Sequence, residues 1–143
     1  MKIRVDGFQS AIEMLQGLDR EAQEHLLEQI ALKDPEMAEK LRKNIVSFSD
    51  LIFLTTAMVK RLLQDIQLED LGLALRGTSP ELISHFMNMF SSNMKSDVEE
   101  ALKGKPRPLT EVLEAQKRIM DVVLKLREKG EIVISRNNSE KYV

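Results

Sequence analysis

Two histidines are the only side chains in this sequence whose ordinary pKa lies near neutrality, and neither stands in a catalytic pattern. His25 lies one helical turn from both Glu21 and Glu28, so a metal ion could in principle touch all three. A carboxylate-bridged bundle site needs a second Glu/His set on a facing helix, and none is present. A surface histidine among solvated carboxylates is the simpler account. His85, beside Leu82 and Phe86, reads as a half-buried helix residue. The chain has no cysteine, which removes thiolate nucleophiles, thiolate metal sites and any disulfide framework. No serine sits in a nucleophile-elbow context and no glycine-rich loop could cradle phosphate. The expectation is a protein with no catalytic residues, no metal and no cofactor: a binding protein, not an enzyme.

The remaining chemistry is charge. Lys103, Lys105 and Arg107 form a small basic cluster, but no aromatic is interleaved with them. The net charge of −2 gives no basic excess to hold nucleic acid. Asn93, Ser96, Asp97, Glu100 and Lys103 share the outer face of one predicted helix, the ordinary signature of a solvated face.

The elements that position these residues all read as helices. Hydrophobic residues make up 43% of the chain and aromatics only 4%, so Leu, Ile, Val and Met must do the packing, as in helix-on-helix layers. Ser10 to Glu13 has the capping-box form, followed by Ala11, Ile12, Leu15 and Leu18 on one face. Asp19 can cap a second helix with Ala22, Leu26, Leu27 and Ile30 at helical spacing. Asp34-Pro35-Glu36 starts a third, with Met37, Ala38 and Leu41 inward. The pattern breaks at Ile45-Val46-Ser47-Phe48. Short segments over 50–54 and 57–65 follow, then a helix from Leu68 to Arg76 stopped by Gly77. Ser79-Pro80-Glu81 opens another, and Ser91 or Ser92 the next. Residues 103–108, with two prolines and a glycine, form a loop. Thr110 is expected to cap the longest helix, which Gly130 ends. Glu131 to Ile134 reads as a short extended segment and the polar stretch to Val143 as a mobile tail. The first three helices make a unit of about 40 residues, below the size that usually folds alone. It must dock on the rest or keep an apolar surface for a partner. No apolar run is long enough to cross a bilayer, and Met1 to Asp6 has no signal-peptide core.

Several segments, taken together, resemble the flagellar motor switch protein FliG family. Glu69 to Gly77 (EDLGLALRG) is similar to its ED-L-x-x-ALKG segment, Val112 to Gln116 to VExAQ, and Gly130 to Ile134 to GEIVI. Asp34 to Ala38, Phe48 to Leu51 and the terminal Tyr142-Val143 match as well, in one register from about Gly7 onward. The resemblance implies an all-α protein: an armadillo-like three-helix unit over 1–46, followed by a six-helix, stator-facing C-terminal domain over 47–143. It implies a rotor component that transmits torque and takes part in switching rotation direction, without the family's N-terminal and middle domains. The implied partners are a MotA-like stator cytoplasmic loop, FliM, and the FliG middle domain of the same or a neighbouring subunit, with no nucleic acid and no direct membrane insertion. The implied location is cytoplasmic, at the inner-membrane face of the flagellar basal body.

Carried over by position, Ile12, Leu15, Leu26, Leu27, Ile30 and Leu41 become the groove for a middle domain. Ile45, Val46, Ser47 and Phe48 become the hinge, where only Phe48 agrees with the family's Met-Phe-x-Phe. Arg76 fills the basic position before glycine. The second basic position falls on neutral Asn93, the acidic pair on Glu100 and Ala101, and a last arginine on Pro108, with Arg107 one place away. Asp97 and Lys103 could compensate. The stator-facing set is then Arg76, Asp97, Glu100 and Arg107. The altered charges also suit a divergent paralogue, a regulatory or scaffolding adaptor that binds switch proteins without carrying torque.

Overall fold

The computed structural model describes residues 5–134 and divides the chain into two compact units, Met1–Ser47 and Phe48–Val143. The described residues form helices and turns with no strand.

The first unit holds α1 (Val5–Gln16), α2 (Arg20–Lys33) and α3 (Pro35–Asn44). Asp19 caps α2 by accepting the Ala22 amide at 2.8 Å. Asp34 works in both directions. Its amide closes α2 on the Ile30 carbonyl at 2.8 Å, and its carboxylate opens α3 by accepting the Met37 amide at 3.1 Å. Pro35 fits behind it because the first helical turn needs no amide there. The interior is wholly aliphatic: Ile12, Leu15, Leu27, Leu41 and Ile45, with Phe8, Ala11, Leu26, Ile30 and Met37 half-buried around them. Arg42 bridges α3 to Glu24 of α2 at 2.9 Å. The Gln16 carboxamide grips the backbone of Val46 from both sides, accepting its amide at 2.6 Å and donating to its carbonyl.

Ser10 does not cap a helix. α1 begins at Val5, so Ser10 stands mid-helix; the turn before it already carries Phe8 onto the core. Tertiary burial outweighs the local capping signal here.

The second unit opens with a 3-10 helix, η1 (Phe48–Phe53), followed by α4 (Thr56–Leu63), α5 (Leu68–Ala74), α6 (Pro80–Met87), α7 (Ser92–Lys103) and α8 (Leu109–Glu128). Thr55, Ser79 and Ser91 each cap the helix that follows. α5 lies between α7 and α8 and is buried on every side at Leu71, Gly72, Leu73 and Ala74. Through its first turn, with Glu69 and Asp70, α5 reaches the surface. Gly72 sets how closely it crosses α7: a Cβ there would lie 2.5 Å from the Val98 carbonyl oxygen and 2.6 Å from the Ala101 Cβ. Leu82 and Phe86 seat α6, and the His85 ring donates to the Leu54 carbonyl at 3.0 Å, as a half-buried helix histidine should. His25 is exposed, and no metal-binding cluster occurs among the described residues.

α5 ends at Ala74 and turns through Gly77, whose φ is +77°. α8 ends in a Schellman motif: Gly130, at φ +74°, donates to the Arg127 carbonyl at 3.0 Å, and Glu131 to the Leu126 carbonyl at 2.9 Å. One expectation fails nearby. Pro108, not Thr110, is the cap residue of α8, because its fixed φ of −58° already leads into the helix at Leu109. Glu131 to Ile134 form no strand; Ile132 is buried, after the cap has turned the chain back toward α8. The expected tail from Ser135 to Val143, with Tyr142-Val143, lies outside the described residues. Among the described residues, no helix is long and apolar enough to cross a membrane.

Candidate functional site

A cleft of about 630 Å³ opens in the second unit. α5 and the turn after it supply one wall, with Asp70 and Arg76. α7 and the loop after it supply another, with Asp97, Glu100, Lys105 and Arg107, and Arg118 reaches in from α8. All four charged residues singled out from the sequence, Arg76, Asp97, Glu100 and Arg107, line this one cleft. Its carboxylates and its cationic groups are balanced, four of each: Glu69, Asp70, Asp97 and Glu100 against Arg76, Lys105, Arg107 and Arg118. With the two signs balanced, the cleft has no net pull on a partner of one sign, and only a matching pattern of charges would complement it.

The four candidates differ in how free they are. Asp97 and Glu100 are exposed, and their carboxylates have no hydrogen-bond or ion-pair partner among the described residues. Arg107 is exposed and pairs with Glu111 one turn on. Arg76 is committed. Its Nε and Nη2 donate to the Ala101 carbonyl at 3.0 and 2.7 Å, and its Nη1 to the Lys105 carbonyl at 2.7 Å. Gly104 leaves it room, since a Cβ there would come within 3.2 Å of Nη2.

Sequence reasoning missed the pairing of Asp70 with Arg118. Two hydrogen bonds, of 3.0 and 3.2 Å, tie α5 to α8 at the cleft edge and hold the guanidinium above its ordinary pKa. The partners are 48 residues apart, and no local pattern announces a contact of that span. Asn93 and Lys103 lie exposed on α7.

In the first unit, the six apolar candidates fall into two groups. Ile12, Leu15, Leu27 and Leu41 are 0–1% exposed and form the interior. Leu26 and Ile30 are half-buried at its edge. An arriving partner can touch only the second pair without opening the unit. Of the four hinge candidates, Ile45 belongs to the first unit's core and Val46 is gripped by Gln16. Ser47 is exposed, and buried Phe48 begins η1.

Comparison with known proteins agrees with the residue patterns. The FliG C-terminal domain family matches residues 28–134. The flagellar motor switch protein FliG of Bacillus subtilis is 33% identical over 135 residues, 94% of this chain and 40% of that protein. That of Thermotoga maritima is 30% identical over 141 residues, 98% of this chain and 42% of that protein. The chain thus spans about two fifths of the length of these curated relatives. A crystal structure of FliG from H. pylori aligns with a TM-score of 0.64 at 26% identity, covering 90% of this chain and 61% of that one. Full-length FliG from Aquifex aeolicus aligns at 0.57 and 25%, covering 90% of this chain and 40% of the other. This chain belongs to the FliG C-terminal domain family.

Proposed function

We propose that this chain is a rotor component of a bacterial flagellar motor, working in the switch complex through protein–protein contacts and without covalent chemistry. The observation that carries the reading is the family match across residues 28–134. The charged cleft supports a site for it: Asp97, Glu100 and Arg107 lie on one exposed surface, with Arg76 at their base. In this reading the surface meets the cytoplasmic loop of a MotA-like stator at the inner membrane, and successive contacts transmit torque. Exposed charges of this kind are individually weak, about 0.2–1 kcal/mol each, and serve register and encounter rate. The first unit docks on a FliG middle domain or on FliM through the edge that carries Leu26 and Ile30. A change of backbone conformation about 45–48 resets rotation direction by shifting populations between packed arrangements.

The test is binding of the chain to the stator loop at low and high salt, beside Glu100→Arg. Salt-sensitive binding that the charge reversal abolishes is the expected result. No binding to the loop, from a folded chain that still binds FliM or the FliG middle domain, would sink the torque role. It would leave the chain as an adaptor within the switch complex.

A further inference from the structure

We infer that Arg76 does not meet a partner with its charge but positions the residues that do, and that Lys105 carries the free positive charge of the cleft. The part of this inference that concerns a partner rests on the stator-facing reading above.

The last four carbonyls of an α-helix have no acceptor role inside it, and Ala101 is among those of α7. Arg76 satisfies it twice and then spans to Lys105, two residues beyond the helix end. A guanidinium placed there also opposes the negative end of the helix dipole. The planar fork is what makes the bridge. Its three N–H groups reach two carbonyls four residues apart, whereas an ammonium offers one point of charge. Gly104 sits between those carbonyls, and any side chain there would crowd Nη2. The latch has two consequences. The last turn of α7 is fixed, and with it Glu100, one residue before Ala101, and Asp97 one turn earlier. The loop after α7 is fixed at Lys105, whose backbone is held while its ammonium has no partner among the described residues. Lys105 lines the same cleft as Asp97 and Glu100. Among the described residues, the unpaired charges of the site are therefore three carboxylates, Glu69, Asp97 and Glu100, and one ammonium, and all but Glu69 are set in place by an arginine three of whose five N–H donors are occupied.

Three variants of the full chain separate positioning from contact: Arg76→Lys, Arg76→Gln and Lys105→Gln. Amide hydrogen exchange is read at Leu102 and Lys103, and salt-dependent binding is read with the stator's cytoplasmic loop as probe. Positioning predicts that Arg76→Lys fails to rescue: both Arg76 variants speed exchange in the last turn of α7 by about tenfold or more. Lys105→Gln leaves exchange unchanged, since the carbonyl that Arg76 holds is intact, but flattens the salt dependence of binding. Wild-type exchange and binding in Arg76→Lys, with loss of binding in Arg76→Gln, would overturn the inference, because charge alone would then suffice. A salt dependence unaltered in Lys105→Gln would overturn the part assigned to Lys105. If the unaltered chain does not bind the loop at all, the stator-facing reading fails, and the exchange data still decide whether Arg76 is a latch.

Discussion

The two units put the same raw material, short amphipathic helices, to opposite uses. The first has a thin aliphatic core with a half-buried apolar rim, and large apolar side chains reach solvent at Met14 and Leu32. The second encloses the last four residues of α5 between α7 and α8 and presents charge where those helices meet the surface. A small unit cannot bury all its apolar area, because its surface is large for its volume. The second unit is larger and encloses Leu71 to Ala74, although it too leaves Leu109, Leu113 and Val133 exposed. Under the proposed function, partner recognition is apolar on the first unit and electrostatic on the second.

The sharpest way to break this comparison is at the two cores. Leu41→Ala should cost about 2–5 kcal/mol, as buried leucine truncations do. In a unit with so thin a core, that should unfold the first unit while the second keeps a cooperative denaturation transition. Loss of both transitions together would show that the units are not energetically separate. Gly72→Ala is the counterpart, expected to cost about 3 kcal/mol because the new methyl meets the Val98 carbonyl and Ala101. Its damage should stay in the second unit; unchanged stability in urea would mean that α5 and α7 can move apart at little cost. Gly77→Val should cost about 2 kcal/mol through backbone strain alone, since open space surrounds the position. Asp34→Ala should cost about 1 kcal/mol, by loss of the α3 cap. At the small end, Asp97→Lys should leave stability within about 0.5 kcal/mol of the parent, because the carboxylate holds nothing in place. A larger shift in melting temperature would mean that the cleft charges are structural after all.

The parts of this molecule that could be read from sequence are those decided within one helical turn. Asp19, Asp34, Ser79 and Ser91 act where a capping residue meets an amide three positions on, and the all-helical class follows from such signals and from apolar spacing. Ser10 carried the same signal and was overruled by Phe8 packing a turn earlier. Periodicity also shows that a face is apolar without saying whether the face turns inward. Ile12, Leu15, Leu27 and Leu41 share the spacing of Leu26 and Ile30, yet only the latter pair reaches the edge. At the cleft, the family resemblance, not residue type, pointed to Arg76, Asp97, Glu100 and Arg107. The bonds that commit Arg76 reach residues 25 and 29 positions on, and the Asp70–Arg118 pair spans 48, beyond any local pattern.

Asp34 has one more consequence, for how this protein can change over evolutionary time. Most helix-to-helix connections tolerate a gained or lost residue because slack in the loop absorbs it. Here the residue that ends α2 is also the residue that begins α3, so the junction has no slack. An insertion or deletion at 33–35 would separate the two duties and rotate α3 by about 100°, the turn per residue of an α-helix. Leu41 would then swing off the core. Length variation among descendants of this chain should therefore avoid this joint, although it lies exposed at the surface.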